Sequence, residues 1–428
     1  MNTQLEPGLR AVTVPLSDTL DPSAAVLAAR RPGERCFCFE QPDRDGWALA
    51  TLGAAAMVEA SGPRRFEEAA AQGRALLASV EGEGALLTGG FAFAPDGGRS
   101  PHWEGFAPAQ LVLPEIAIRR HKGRVWATLI GSDPHALRER IEEDASMPLL
   151  DPDPVGRPRV ASAAPPEHYE EAVGRAVERI KAGRIAKIVL AREVRVHAGR
   201  EIDPAPVFGA LRGVFPACFS YLVGGPGSTF IGASPELLVR REGARASTVA
   251  LAGTARRSAD PSVDDHLGEQ LAASTKIADE HSIVARRIER TLDPVSVWVA
   301  AADTPVLVKV HNVQHLATPI RAQLAEPLPA VELAGRLHPT PAVGGEPEAD
   351  ALPMIPALEG LDRGWYAGPV GWTDAEGDGE FCVALRCALL RREVAHLYAG
   401  CGIVRDSVPA DELAEAEVKL EALLPLLA

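Results

Sequence analysis

Residues 165–196 read PPEHYEEAVGRAVERIKAGRIAKIVLAREVRV, and two periodicities meet within them. From about 167 to 183 the apolar residues Tyr169, Ala172, Val173, Ala176, Val177 and Ile180 recur at helical spacing behind Pro165 and Pro166, which predicts an amphipathic helix. From 187 the run KIVLAREVRV (187–196) is apolar and β-branched, which predicts a strand. Further strands are expected at 217–224, 228–233, 236–241 and 294–300. A long helix is expected over about 264–291 and a last one over about 410–425. WYAGPVGWTD and EFCVALRCALL flank the turn AEGDG and read as a hairpin. The sum is a mixed α/β chain, a large sheet with helices packed on it.

Toward the N-terminus, the Pro-rich segment 148–166 has no periodicity and reads as a connection between residues 1–160 and residues 161–428. The first part offers strands over 45–59 and 85–95, an amphipathic helix over 64–80, and no constellation of catalytic residue types.

Composition narrows the function. The chain has 428 residues, with 44 basic against 58 acidic side chains and a net charge of −14. No cluster of Lys and Arg offers a surface for nucleic acid. There is no stretch of 18 apolar residues for a membrane span, and residues 1–30 lack the pattern of a signal peptide. Six cysteines without C-x-x-C spacing read as buried thiols in a reducing compartment. A cytoplasmic protein is expected.

Only six of the basic residues are lysines, so a Lys in an apolar strand stands out. Lys187 opens KIVLAR, where desolvation would make it a general base; the ordinary alternative is a side chain that snorkels to water. Glu236 lies between the turn GASP and the strand LLVR, where apolar neighbours would raise its pKa and make it an acid; an exposed turn carboxylate is the alternative. Glu280 falls at the edge of the stripe Ala273, Ile277, Val284 and Ile288, a place that calls for an ionic partner or a metal ion. Glu412, Glu415 and Lys419 share one side of the last helix, although Glu415 and Lys419 also form an ordinary i,i+4 pair. Carboxylates from Glu280 and Glu415 would suit a hard cation, Mg²⁺ first. The Gly-rich turns LAGTARR (251–257) and YAGCGIV (398–404) allow close approach of an anion but match no nucleotide-binding pattern. Arg386 in ALRCA would lie on a strand and grip a carboxylate.

Taken in order, KIVLAR (187–192), GASPELL (232–238), LAGTARR (251–257), DEHSIV (279–284), HLATPI (315–320), LHPTPAVGG (337–345), GWTDAEGDGEFCVALRCA (371–388), YAGCGIV (398–404) and ELAEAEVKL (412–420) resemble the chorismate-utilising enzymes. That family includes the isochorismate, salicylate, anthranilate and aminodeoxychorismate synthases. Weaker similarity in GGFAFAPD and LVLPEIAI carries the match toward the N-terminus, and about 40 residues at the start lie outside it. The resemblance implies an α/β (α+β) fold, a large twisted β-sheet sandwich with flanking helices, and a chorismate-binding catalytic part over 161–428.

It also implies residue roles. Lys187 matches the lysine that activates water for attack at ring carbon C2, and Glu236 the acid that protonates the departing C4 hydroxyl. Glu280 and Glu415 match Mg²⁺ ligands, with Glu412 a nearby carboxylate acting through water. Gly253, Thr254, Arg386, Gly400, Gly402 and Lys419 match positions that hold substrate carboxylates, and His315 an active-site histidine. Similar anthranilate synthases carry Gln at the position of Lys187, and similar aminodeoxychorismate synthases carry Lys where this chain has Ala252. The resemblance therefore implies an isochorismate synthase, an Mg²⁺-dependent isomerase serving siderophore, salicylate or menaquinone synthesis. Such an enzyme is expected to be a monomer without a glutaminase subunit. The rival readings are a salicylate synthase, which goes on to eliminate pyruvate, and a non-catalytic chorismate-binding module, which would have lost Lys187, Glu236 or a metal carboxylate.

Overall fold

Two antiparallel sheets draw strands from both ends of the chain. The computed structural model describes residues 9–141, 145–152, 157–310 and 313–427. Residues 153–156 of the Pro-rich connection and the first eight residues lie outside the described residues. The first sheet has twelve strands. Its N-terminal half runs Ala11–Pro15, Arg124–Ile130, Ile116–His121, Trp47–Leu52 and Cys36–Gln41. It continues through Phe219–Gly225, Ser228–Ser234, Cys387–Arg391, Val394–Ile403, Lys187–His197 and Gly345–Glu346, with Arg159–Ser162 also paired to Lys187–His197. The second sheet has ten strands. In it Ser296–Ala301, Val313–Leu324, Arg245–Arg256, Leu237–Glu242, Gly379–Val383 and Pro369–Asp374 adjoin Leu86–Phe91, Ala109–Leu113 and Ala56–Ala60. The short strand Val306–Lys309 pairs with Val313–Leu324.

The two parts of the chain are thus joined inside each sheet, by Phe219–Gly225 against Cys36–Gln41 and by Pro369–Asp374 against Leu86–Phe91. Alternate residues of one strand point to opposite faces. In Cys36–Gln41, Phe37 and Phe39 enter the core between the sheets, together with Leu87, Phe91 and Phe381. Cys36 and Cys38 face the other way, into a second core with Phe208 and Leu211 of the helix Pro204–Val214. With both faces covered, these strands read as continuous apolar runs. All six cysteines are buried and free. Among the described residues, no helix is long and apolar enough to cross a membrane.

The predicted helix near 167–183 spans Pro166–Lys181 and buries the six apolar residues that marked it. Three expected elements are divided instead. The run 45–59 forms Trp47–Leu52 in the first sheet and Ala56–Ala60 in the second, turned by Gly53 at φ +77°. EFCVALRCALL likewise splits into Gly379–Val383 and Cys387–Arg391, on different sheets. The helix expected over 264–291 is two, Pro261–Ala273 and Thr275–Leu292. Ser274 breaks it, because its extended backbone ends the first helix while its hydroxyl accepts from Ile277 N–H and caps the second.

Candidate active site

Two of the chain's crossings between the sheets bear on the site. Between Ser228–Ser234 and Leu237–Glu242 the chain passes through Pro235 and Glu236, and between Gly379–Val383 and Cys387–Arg391 it passes through Ala384 to Arg386. The crossings are tied together. Val383 N–H donates to the Glu236 carbonyl at 3.0 Å, and Ala233 N–H donates to the Arg386 carbonyl at 3.1 Å. The sequence reading places Arg386 on a strand, and the structure corrects this: it lies between two strands. It occupies a bend with φ +46°, a costly conformation for a non-glycine residue that aims its side chain into the seam.

Glu236 is buried, and desolvation pushes its carboxyl up to about 8, against the charge of Lys187, which opposes the rise. Lys187, at the start of Lys187–His197, is only 1% exposed, and its Nζ lies 2.9 Å from Glu280 Oε1. Gly402 stands beside this pair. A Cβ there would strike Glu280 Oε1 and lie 2.9 Å from Lys187 Cε, so the ends of both side chains would have to shift to admit one. Gly253 takes φ +79° at a bulge between Ala252 and Thr254, and a Cβ on it would run into Ile277. At Gly400 a Cβ would press on the backbone of Leu190 and Ala191.

His315 fixes Arg386. Its Nδ1 lies 3.1 Å from the Gly253 carbonyl and 3.3 Å from Thr254 Oγ1, and its Nε2 lies 2.7 Å from Arg386 Nη2. A carbonyl can only accept and a guanidinium can only donate. Nδ1 therefore carries the proton and Nε2 accepts from Arg386. Burial, with the charges of Arg386 and Lys419, holds the His315 pKa well below its ordinary value, so the ring is neutral. The other neighbour of Arg386, Cys218 at 3.9 Å, has its thiol pKa raised by burial. Both are uncharged contacts, which leave the guanidinium free to take a carboxylate in a bidentate grip.

On the last long helix, Pro409–Leu420, Lys419 donates to the Gly400 carbonyl at 2.9 Å and pairs with Glu415 at 2.8 Å. Burial works against its charge, yet the ion pair with Glu415 raises its pKa above the usual range. Ligand atoms of Glu412, Glu415 and Cys401 lie within 4.8 Å of one another. Burial keeps the Cys401 thiol protonated, and it donates to the Glu412 carbonyl at 3.3 Å. The charged donors offered here are carboxylate oxygens, the set a hard divalent cation takes.

Lys187, Glu236, Gly253, Thr254, Glu280, His315, Arg386, Gly400, Gly402, Glu412, Glu415 and Lys419 all line one cavity of about 200 Å³. Every residue singled out in the sequence is brought to it. Sequence reading passed over Tyr366, which also lines it, and His281, whose Nε2 lies 2.7 Å from Thr318 Oγ1. His281 adjoins Glu280 on the same helix, which was the available signal; Tyr366 sits in a loop with no pattern to mark it.

The chain belongs to the chorismate binding enzyme family, which it matches over residues 2–428. It is 39% identical over 422 residues to the salicylate biosynthesis isochorismate synthase of Pseudomonas aeruginosa, covering 95% of this chain and 87% of that one. It is 31% identical over 426 residues to the isochorismate synthase EntC of Escherichia coli, covering 96% and 97%. Among solved structures, the menaquinone-specific isochorismate synthase of Escherichia coli superimposes with a TM-score of 0.84 at 27% identity, over 99% of this chain and 96% of that one.

Proposed function

We propose that this chain is an isochorismate synthase, an isomerase that interconverts chorismate and isochorismate with Mg²⁺ bound. The observation that carries the chemistry is a protonated buried acid, Glu236, lining the same cavity as a buried lysine, Lys187. On this reading Lys187, in its neutral amine form, accepts a proton at Nζ from water as the water oxygen bonds to C2. The ring double bonds shift, the C4–O bond breaks, and Glu236 gives its proton to the departing hydroxyl, which leaves as water. One water enters and one leaves. In the reverse direction the two residues exchange roles, so the reaction is reversible. An acid with its pKa near 8 is mostly protonated at neutral pH, as this step requires.

Arg386, held by His315, and Lys419, with the backbone at Gly253, Thr254, Gly400 and Gly402, would bind the two carboxylates of the substrate. Glu280 and Glu415 would hold the Mg²⁺, with Glu412 beside them. The donor set fits, because these are carboxylates in one cavity whose thiol neighbour stays neutral. A bound Mg²⁺ would neutralise the ring carboxylate and the charge developing in the conjugated ring. Water as nucleophile calls for no glutaminase subunit, and the enzyme would act as a cytoplasmic monomer.

The test is product analysis by chromatography and NMR after incubation with chorismate, with Mg²⁺ and with a chelator. A metal-dependent equilibrium mixture of chorismate and isochorismate, with ¹⁸O from labelled water at C2, is expected. Accumulation of salicylate and pyruvate would make it a salicylate synthase instead. Bound but unconverted chorismate would make it a non-catalytic binding module.

A further inference from the structure

The strand that carries Lys187 has a gap along one edge. On one side, Lys187–His197 meets Val394–Ile403 from Ile188 onward. On the other, Lys187 and Ile188 pair with Gly345–Glu346, and Val194 to His197 pair with Arg159–Ser162. Among the described residues, no strand lies beside 189–193 on that side. Side chains take its place. Ala191 N–H donates to Glu359 Oε1 at 2.7 Å, and the Val189 carbonyl accepts from Arg363 Nη2 at 3.0 Å. Backbone groups close the two ends: Val189 N–H donates to the Gly344 carbonyl at 2.7 Å, and Ala163 N–H donates to the Glu193 carbonyl at 3.0 Å.

Glu359 and Arg363 are themselves a buried ion pair, 2.5 Å apart. Arg363 uses its whole fork. Nε donates to Glu359 Oε2 at 3.0 Å and Nη1 to the Val343 carbonyl at 2.8 Å, while the guanidinium lies 4.2 Å from the centroid of the Phe93 ring. The Arg363 carbonyl accepts from Tyr366 N–H at 2.9 Å. Val189, Val343 and Tyr366 all line the substrate cavity, whereas Glu359 and Arg363 stand behind it. The pair thus joins three separate segments of the cavity wall.

A buried ion pair is a poor device for stabilising a fold, because desolvation offsets much of its attraction. Its strength lies in fixed geometry, which a planar guanidinium fork supplies and an ammonium does not. We propose that Glu359 and Arg363 are positioning residues for the reaction, a side-chain substitute for the missing strand that sets Lys187 against the facing wall of the cavity. The inference rests on the base role given to Lys187 above. Lys187 and Val189 are alternate residues on one face of the strand, so a shift at Val189 carries Lys187 with it. A displacement of about 1 Å at a reacting group can cost about 10²-fold in rate. Arg386 and Lys419, which would grip the substrate carboxylates, belong to other elements, so the loss should fall on turnover more than on binding.

Arg363→Lys keeps a charge beside Glu359 but loses the fork that reaches both carbonyls. With chorismate and Mg²⁺, its kcat per folded molecule should fall by about 10–10²-fold while KM changes much less, the folded fraction being read from urea denaturation. Glu359→Asp keeps both charges and draws the carboxylate back from Ala191 N–H; it should lower kcat in the same way, and decides the matter if Arg363→Lys does not fold. Arg212→Lys is the control. It weakens ion pairs with Asp21 and Glu40, none of which lines the cavity, and should lower the denaturation midpoint with kcat unchanged. A folded variant of the pair with undiminished kcat, or an equal loss of kcat in Arg212→Lys, overturns the proposal. No turnover by the unaltered chain would instead overturn the function on which it rests.

Discussion

Replacing Glu236 with Gln separates its acid role from its packing, because the amide keeps the shape of the carboxyl and cannot ionise. In the folded chain this carboxyl titrates near 8 instead of 4.5, and it is 4% exposed. A tenfold change in proton affinity is worth about 1.4 kcal/mol. Below pH 4.5 the carboxyl is neutral folded and unfolded, so the two proteins should be equally stable. Between 4.5 and 8 only the unfolded chain releases the proton, so the unaltered protein loses about 1.4 kcal/mol per pH unit relative to Glu236→Gln. The variant should be ahead by about 3 kcal/mol at pH 7 and about 5 kcal/mol above pH 8. Turnover should fall on the order of 10²–10⁴-fold, as expected for loss of a positioned acid. Urea denaturation followed by tryptophan fluorescence, at intervals from pH 5 to pH 9, reads the difference in stability. Parallel curves for the two proteins across that range would refute a protonated Glu236, and with it the assignment of the acid.

Lys187→Met should lower turnover of chorismate by about 10²–10⁴-fold, with the far-UV circular dichroism spectrum unchanged; turnover with an unaltered pH profile would remove Lys187 as the base. Gly402→Ala should separate Lys187 from Glu280, because its Cβ meets both side chains; about 1–3 kcal/mol of stability should be lost, together with most of the activity, and an enzyme as active as the original would disprove the crowding. His315→Phe frees Arg386 from its hydrogen bond at 2.7 Å and should raise KM for chorismate more than it lowers kcat; an unchanged KM would mean that Arg386 is oriented by other means. Arg363 is buried, holds Glu359 and donates to the carbonyls of Val343 and Val189 at 2.8 and 3.0 Å. Arg363→Met strands the Glu359 carboxylate and should cost about 3–5 kcal/mol in chemical denaturation, whereas a loss below 1 kcal/mol would show that the carboxyl is neutral there.

Local periodicity carried part of the fold. Pro166–Lys181 was legible because one side of it is polar, and its apolar side is the stripe that the sequence displays. The sheet crossings were not. A strand covered on both faces is apolar throughout, and remains so as it passes from one sheet to the other at Ala384–Arg386. The left-handed backbone of Arg386 leaves no trace either, since Arg is not the residue that position favours. At the site, Lys187, Glu236 and Glu280 were each ambiguous alone, and order along the chain made them a set.

The seam between the sheets has a kinetic consequence. Glu236 and Arg386 are held where they are by hydrogen bonds between segments far apart in sequence, Val383 to Glu236 and Ala233 to Arg386. Contacts of this kind form only after long loops have closed, against their entropy. During refolding, activity should therefore return only with the last, slowest phase, well after the helices have regained their circular dichroism.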